Sequence, residues 1–144
     1  MLVNEILASK SVTGVETIPP GTTVAAAAEM LSTKRIGALV ISRDGKTLDG
    51  ILSERDIVRE LGRRGPGCLG ETVNELMTTK IVTCARDETA DSVLEKMTEG
   101  RFRHVPVVDG ETMVGLISIG DVVKARLAEL AMEKDALEGM IMGH

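Results

Sequence analysis

Residues 115–121 read Gly-Leu-Ile-Ser-Ile-Gly-Asp, and residues 50–56 read Gly-Ile-Leu-Ser-Glu-Arg-Asp. In each copy a glycine opens an apolar strand end, a serine follows three positions later, and an aspartate three positions after that. The copies lie 65 positions apart, which points to an internal repeat rather than to one short motif.

The duplication extends beyond these seven residues. Residues 22, 30, 40 and 41 match residues 89, 97, 107 and 108 at a constant offset of 67, and Val-Asn-Glu-Ile-Leu at 3–7 returns as Val-Asn-Glu-Leu-Met at 73–77. The three blocks keep their order and change offset only at expected loops. We therefore predict a first repeat at 1–65, a glycine-rich linker at 66–71, a second repeat at 72–128 and a C-terminal helical extension at 129–144.

Composition narrows the function classes. The formal charge is −5, from 17 basic and 22 acidic residues, and no basic block stands out, which argues against nucleic acid as the main partner. No apolar run approaches the roughly 18 residues of a membrane span, and the N-terminus lacks the regions of a signal peptide. Cys68 and Cys84 have no metal-ligand spacing, so we expect reduced thiols in a cytoplasmic protein, with Cys68 at the surface and Cys84 filling apolar space.

Hydrophobic patterning and turn signals predict the same order of elements in both repeats, strand–helix–strand–strand–helix. A short helix at 2–8 precedes the first repeat, and Thr22 or Thr23 can cap the first long helix. In the first repeat, strands are predicted at 15–18, 37–42 and 48–52, and helices at about 23–34 and 53–62. In the second repeat, strands are predicted at 81–84, 104–108 and 113–118, and helices at about 89–99 and from 118 to about 138 or beyond. The fold class is α/β (α+β): each three-stranded sheet carries helices on one face, and the second repeat covers the other face in a pseudo-twofold sandwich.

Ser-x-x-Asp at a strand-to-helix junction has two compatible interpretations. It is typical of a capping box, in which the serine and the acid satisfy backbone N–H groups at the helix start. A helix start also attracts phosphate, and a carboxylate one turn further on can accept hydrogen bonds from the vicinal diol of a ribose. The leading glycine would leave room for a ring beside the backbone.

These two motifs, together with the Arg-His-Val-Pro-Val-Val strand at 103–108, resemble the CBS domain, the family named after cystathionine β-synthase. The resemblance covers about residues 1–128 and is to a tandem CBS pair, or Bateman module, of the stand-alone bacterial or archaeal type. It implies two clefts between the repeats that bind adenosine nucleotides such as AMP, ATP, NAD(H) or S-adenosylmethionine, with AMP favoured. It also implies a homodimer.

Carried onto this sequence, the resemblance assigns residues to each cleft. In one cleft Asp121 binds the ribose and Ser118 lies near the ribose or phosphate. Arg103 and His104 would lie by the phosphates, and the family position favours this role over the alternative of a solvated strand start. In the same cleft, Ile36, Gly37 and Ala38 would lie beside the base, and backbone groups of Glu16 or Thr17 would contact its edge.

The second cleft is expected to contain Ser53, Arg55 and Asp56. Around its base the resemblance places Thr83, Cys84 and Val105.

The two clefts are not expected to be equivalent. Arg103-His104 aligns with Ile36-Gly37, and Arg55 aligns with Gly120, so the cationic side chains are unevenly shared. We therefore predict different affinities or different preferred phosphate counts.

The last helix carries an apolar stripe at 123, 127, 130, 137 and 141, which follows a heptad-like spacing. It either packs against its own domain or forms a dimer contact, and the second is favoured because the helix outlasts its counterpart in the first repeat. The Met-rich tail at 139–144, which ends in His144, is expected to be a frayed terminus rather than a soft-metal site.

An enzyme would need a nucleophile with a base, a metal cluster or a pair of acids. His104 and His144 are not placed with Cys or Asp in any hydrolase order, and Asp56 and Asp121 belong to different clefts. The sequence therefore predicts a non-enzymatic nucleotide sensor without a metal, which signals to a regulated protein partner through conformational change. The alternatives are a dimerisation scaffold with vestigial clefts and, more remotely, a nucleotide hydrolase.

Overall fold

A computed structural model describes residues 1–10 and 14–142 of the chain. In chain order the elements are α1 (Val3–Ser9), β1 (Thr17–Ile18), α2 (Val24–Lys34), β2 (Ala38–Ile41), β3 (Gly50–Ser53), α3 (Glu54–Arg64), a 3₁₀ helix (Pro66–Gly70), α4 (Val73–Leu76), α5 (Ala90–Gly100), β4 (His104–Asp109), β5 (Thr112–Ser118) and α6 (Ile119–Ile141). They form two compact units, here called the α3 unit (residues 14–82 and 108–114) and the α6 unit (residues 1–10, 83–107 and 115–142). His144 lies outside the described residues. The predicted mixed α/β class is confirmed.

The α3 unit is built on a three-stranded sheet in the order β1-β2-β3. β1 runs parallel to β2, and β2 pairs antiparallel with β3, with Ala38 opposite Ser53. All four residues of β2 are buried, which matches its uninterrupted apolar sequence. Its core cluster joins this sheet to α2, α3 and α4 through residues that include Val24, Leu39 and Val73.

Strands β4 and β5 form a hairpin that turns at Gly110 with a φ of 64°. Residues 104–107 and 115–118 of this hairpin belong to the α6 unit, whereas its tip at 108–114 belongs to the α3 unit. The predicted strand at 81–84 is reduced to a single parallel bridge between Cys84 and Val107. Side chains with no exposed surface, among them Val93, Val105 and Ile117, show that α5 and both strands of the hairpin contribute to this core.

Side-chain caps define where the helices begin. The Thr23 hydroxyl accepts a hydrogen bond from the Ala26 N–H at 3.1 Å, and Thr89 does the same for Ser92 at 3.1 Å. Of the two predicted caps for α2, Thr23 is therefore the one used. Both helices also end alike, because Arg35 and Arg101 adopt left-handed backbone conformations with φ of 54° and 56°.

The short helices before each repeat belong to the unit formed by the other repeat. α1 joins the α6 unit, where the Val3 N–H donates to Glu88 O at 2.8 Å. In the matching way α4 joins the α3 unit, where the Val73 N–H donates to Thr22 O at 2.8 Å. Each unit is thus completed by a helix that the sequence places at the start of the other repeat.

The predicted linker has regular structure of its own. Pro66 begins a 3₁₀ helix, and Cys68 within it is buried with 3% of its surface exposed. The expectation that Cys68 is a surface thiol is therefore wrong, because the helix turns this side chain inward. Cys84 is buried as expected.

Candidate functional site

The start of α6 carries a complete capping box. The Ser118 Oγ accepts a hydrogen bond from the Asp121 N–H at 3.1 Å, and the Asp121 Oδ2 accepts one from the Ser118 N–H at 2.9 Å. The capping interpretation of Ser-x-x-Asp is confirmed here. The arrangement fixes both side chains at a helix N-terminus, where the backbone carries partial positive charge.

A lysine from the N-terminal segment also contacts this aspartate. The Lys10 Nζ donates to Asp121 Oδ2 at 2.9 Å and to Leu116 O at 2.8 Å. Burial raises the pKa of Asp121, but hydrogen bonds from the Ser118 N–H and from Lys10 outweigh burial, and the pKa lies below its usual value. Asp121 is therefore ionised at neutral pH and can accept hydrogen bonds.

The start of α3 repeats the capping box with a different cation. The Ser53 Oγ accepts from the Asp56 N–H at 3.3 Å, and the Asp56 Oδ2 accepts from the Ser53 N–H at 2.8 Å. The Ser53 hydroxyl in turn donates to Asp56 Oδ2 at 2.9 Å. The other carboxylate oxygen, Oδ1, accepts from Arg59 on the same helix at 2.8 Å.

In both units the predicted helix start lies beside the first strand of its hairpin. The Glu54 N–H donates to Gly37 O at 2.9 Å, and the Ile119 N–H donates to Arg103 O at 2.8 Å. The structure thus brings Ser53 and Asp56 together with Gly37 and Ala38 in one unit. It brings Ser118 and Asp121 together with Arg103 in the other.

The cations proposed for phosphate differ in their surroundings. Arg103 and Arg55 are exposed, and neither forms an ion pair with the described residues. His104 is half-buried at the first position of β4. An arginine beside each helix start is consistent with binding of an anionic ligand.

The residues predicted to surround the base are mostly closed to contact through their side chains. Ala38, Cys84 and Val105 are buried, and burial, with a smaller contribution from nearby Glu88, raises the pKa of the Cys84 thiol to about 11. Thr83 is half-buried, and its carbonyl accepts a hydrogen bond from Lys96 at 2.9 Å. Ala38, Cys84 and Val105 therefore expose almost no surface in this structure.

The remaining predicted residues lie on or beside the sheet of the α3 unit. The Glu16 carbonyl accepts from the Val40 N–H at 3.2 Å, and its carboxylate pairs with Lys34 at 3.2 Å. Thr17 pairs with Val40 on the edge strand β1. Ile36 and Gly37, just before β2, are half-buried.

The sequence predicted open space for a ring beside the leading glycine of each motif. In the structure, packed side chains fill that space. A Cβ at Gly115 would lie 2.6 Å from Leu7 Cδ2, and a Cβ at Gly50 would lie 2.4 Å from Met77 Sδ. These glycines instead admit Leu7, which lies within α1, and Met77, which directly follows α4, so the expectation is wrong for a packing reason. Leu7 and Met77 match each other at the offset of 70.

Sequence reasoning missed Lys10. A signal for it existed, because Lys10 and Lys80 repeat at the same offset of 70 as the helices before them. The two lysines nevertheless differ in the structure. Lys80 is exposed and forms no ion pair with the described residues.

The described part of the chain holds neither a cluster of metal-binding side chains nor a helix that could span a membrane. Within residues 1–10 and 14–142, no three His, Cys, Asp or Glu side chains cluster in a way that could hold a metal ion. No helix in the same residues is long and apolar enough to cross a membrane.

Comparison with known proteins identifies the family. Residues 3–63 and 73–128 each match the CBS domain. The chain therefore belongs to the CBS domain family and carries two CBS domains in tandem. A plant relative, the mitochondrial CBS domain-containing protein CBSX3 of Arabidopsis thaliana, is 34% identical over 125 residues, which cover 84% of this chain and 61% of that protein. The chain thus spans less than two thirds of that relative.

Solved structures share the fold. The CBS-domain protein ATU1752 from Agrobacterium tumefaciens has a TM-score of 0.83 and 39% identity, covering 88% of this chain and 99% of that one. The protein PAE2072 from Pyrobaculum aerophilum, complexed with AMP, has a TM-score of 0.76 and 28% identity, covering 92% and 99%. The CBS domain pair of protein MJ0100, in complex with 5′-methylthioadenosine and S-adenosylmethionine, has a TM-score of 0.76 and 28% identity, covering 90% and 98%.

Proposed function

We propose that this chain is a non-catalytic regulatory module that binds adenosine nucleotides at the starts of α3 and α6. The observation that carries the proposal is the duplicated helix start, in which an ionised or hydrogen-bonded aspartate, a capping serine and an exposed arginine recur in both units. AMP is the favoured ligand, and ATP, NAD(H) and S-adenosylmethionine are the other candidates. The complexes of PAE2072 with AMP and of MJ0100 with adenosine derivatives support this ligand class.

Each proposed role follows from the chemistry of the group. Asp56 and Asp121 accept hydrogen bonds from ribose hydroxyls, and Ser53 and Ser118 lie between sugar and phosphate. Arg55, Arg103 and His104 offer positive charge to phosphate. Residues 36–38, 83–84 and 105 are proposed to lie around the base, and backbone groups of Glu16 or Thr17 are proposed to contact its edge.

The proposal excludes catalysis by these groups. Asp56 and Asp121 lie in different units, and each carboxylate is engaged in its own capping box. We therefore propose no acid–base role for either carboxylate. Signalling would instead come from differential binding, in which the ligand favours one conformation and a protein partner recognises it.

A thermal-shift screen tests the ligand class. AMP, ATP, NADH and S-adenosylmethionine are each added to the wild type and to the double variant Asp56→Ala/Asp121→Ala. A ligand at 100 times its dissociation constant should stabilise the wild type by about 2.7 kcal/mol for each occupied site and the double variant by less than about 0.5 kcal/mol for each site. A screen in which none of the four shifts the wild type contradicts the proposal.

We also propose that α6 mediates a homodimer. Its predicted stripe is exposed throughout, with exposed fractions from 46% at Val123 to 84% at Ile141. The opposite face of α6 packs within its own unit, where Val122 and Ala125 are buried. The apolar stripe is therefore left for a second copy, with the heptad-like spacing typical of helix pairing.

The oligomeric state tests this part. Sedimentation equilibrium should give a dimer for the wild type and a monomer for Leu127→Glu/Leu130→Glu, with Lys124→Glu as a control on the same helix. A monomeric wild type contradicts the proposal. A dimer that binds none of the four ligands would favour the alternative function, a dimerisation scaffold with vestigial sites.

The proposed compartment is the cytoplasm. Cys68 and Cys84 are both free thiols, and a reducing compartment keeps such thiols unpaired.

A further inference from the structure

Lys10 and Asp121 together present unused hydrogen-bonding capacity at the start of α6. The Lys10 ammonium has three N–H donors, of which two are taken by Leu116 O and Asp121 Oδ2. Among the described residues, the third has no partner. Asp121 Oδ2 already accepts two hydrogen bonds, whereas Oδ1 accepts none from the described residues.

A donor next to an acceptor matches a hydroxyl group, which needs both. A hydroxyl can donate its hydrogen to Asp121 Oδ1 and accept the free N–H of Lys10 with its oxygen. A vicinal diol can divide the two contacts between its neighbouring hydroxyls. The pair is accessible to a ligand, because 29% of the Lys10 side chain and 22% of the Asp121 side chain are exposed.

Lys10 is also held in place before any ligand arrives. Its two hydrogen bonds join the end of β5 to the start of α6, so the ammonium cannot swing freely. A donor that is already fixed loses little conformational entropy when it binds a ligand.

The α3 unit lacks this arrangement. Its aspartate is paired with Arg59, which is 62% exposed on the same helix, and the repeat counterpart of Lys10, Lys80, forms no ion pair with the described residues. Among the described residues, a lysine from a distant segment therefore pairs with the capping aspartate at the start of α6 but not at the start of α3.

We propose that Lys10 is a specificity-determining residue of the α6 site, which contacts a ribose hydroxyl together with Asp121 and selects ribonucleotides over deoxyribonucleotides. This rests on the proposed function, since it deepens the nucleotide site of the α6 unit. Lys10 does not act on the phosphate in this proposal.

Calorimetric titration tests the proposal in the full chain with the Asp56→Asn background, so that one helix start keeps its carboxylate. Three nucleotides are compared, AMP, 2′-deoxy-AMP and 3′-deoxy-AMP, in the background protein and after adding Lys10→Met. Lys80→Met in the same background is the matched control. Lys10→Met should weaken AMP binding about tenfold, the effect of losing one charged hydrogen bond, and Lys80→Met should leave it unchanged.

The nucleotide that lacks the contacted hydroxyl should bind the background protein about tenfold more weakly than AMP and be insensitive to Lys10→Met. Equal weakening of all three nucleotides by Lys10→Met would overturn the proposal, because a general charge or folding effect would explain it. If both deoxynucleotides bind the background protein as tightly as AMP, the proposal is overturned without any change at Lys10. AMP binding by the wild type but not by Asp56→Asn would also overturn it, whereas failure of the wild type to bind AMP would remove the nucleotide site on which it rests.

Discussion

The starts of α3 and α6 share one capping geometry but differ in the cation beside the aspartate. Ser53 with Asp56 and Ser118 with Asp121 form the same reciprocal hydrogen bonds. Asp56 is paired with Arg59 one turn along its own helix, and Asp121 with Lys10, 111 positions away in the chain. The capping box of each site is therefore repeated with the motif, whereas the cation comes from the same helix at α3 and from a distant segment at α6.

The largest effect should come from removing one aspartate at a time. Asp121→Ala and Asp56→Ala should each weaken nucleotide binding at their own helix start about 100-fold, since each removes the charged acceptor proposed for the ribose. Titration calorimetry should then find the number of sites reduced from two to one in either variant. Asp135→Ala, on the exposed part of α6, is the control, and two unchanged sites in both aspartate variants would show that the ligand binds elsewhere.

The next effect concerns the glycines that admit Leu7 and Met77. Gly115→Ala and Gly50→Ala should each lower the free energy of unfolding by about 1–3 kcal/mol, because the added methyl group meets a packed side chain. Gly62 lies within α3, and a carbon added there would have no atom within 4 Å. Gly62→Ala should instead raise stability slightly, because alanine favours a helix more than glycine does. Urea denaturation measures all three. If Gly115→Ala is neutral, Leu7 does not hold the position that the structure gives it.

A smaller and equal effect should come from the capping serines. Ser53→Ala and Ser118→Ala should each cost about 1 kcal/mol of stability, because both remove the same acceptor for a helix N–H. The comparison is sharpened by measuring both in one denaturation series. A cost at one serine and none at the other would mean that the two capping boxes are not equivalent.

The smallest effect should appear in acid. The folded-state pKa of Asp121 lies below that of an unfolded aspartate, about 3.9, so the unfolded chain binds the proton more readily. The lowered pKa of Asp121 therefore stabilises the fold above about pH 3.9, and this stabilisation is lost as the pH falls through the folded-state pKa. Thermal unfolding from pH 5 to pH 2 should show a shallower decline for Asp121→Asn than for the wild type. A parallel decline in the two proteins would contradict a lowered pKa.

The elements that the sequence predicted well are those encoded locally. Ser53 and Ser118 begin helices because each capping box lies within four residues of chain, and α6 extends to Ile141 because its residues include no proline or strong helix stop. The family resemblance rested on the same local motifs and is confirmed.

The features that the sequence did not predict depend on contacts between distant residues. The five residues that begin with α1 (3–7) and the five that begin with α4 (73–77) are nearly the same, so their sequences do not say which unit each helix joins. The packing of Leu7 on Gly115 and the pairing of Lys10 with Asp121 both follow from that choice. The strand expected at 81–84 failed for a related reason, because backbone pairing with β4 is made at Cys84 alone in its predicted span.

A crystal structure of the wild type soaked with AMP would show directly whether a nucleotide binds at the starts of α3 and α6. We expect ribose hydroxyls within hydrogen-bonding distance of the Asp56 and Asp121 carboxylates, with the phosphate near the adjoining helix starts. A well-ordered AMP that contacts neither aspartate, or no bound nucleotide at saturating concentration, would contradict the proposed function.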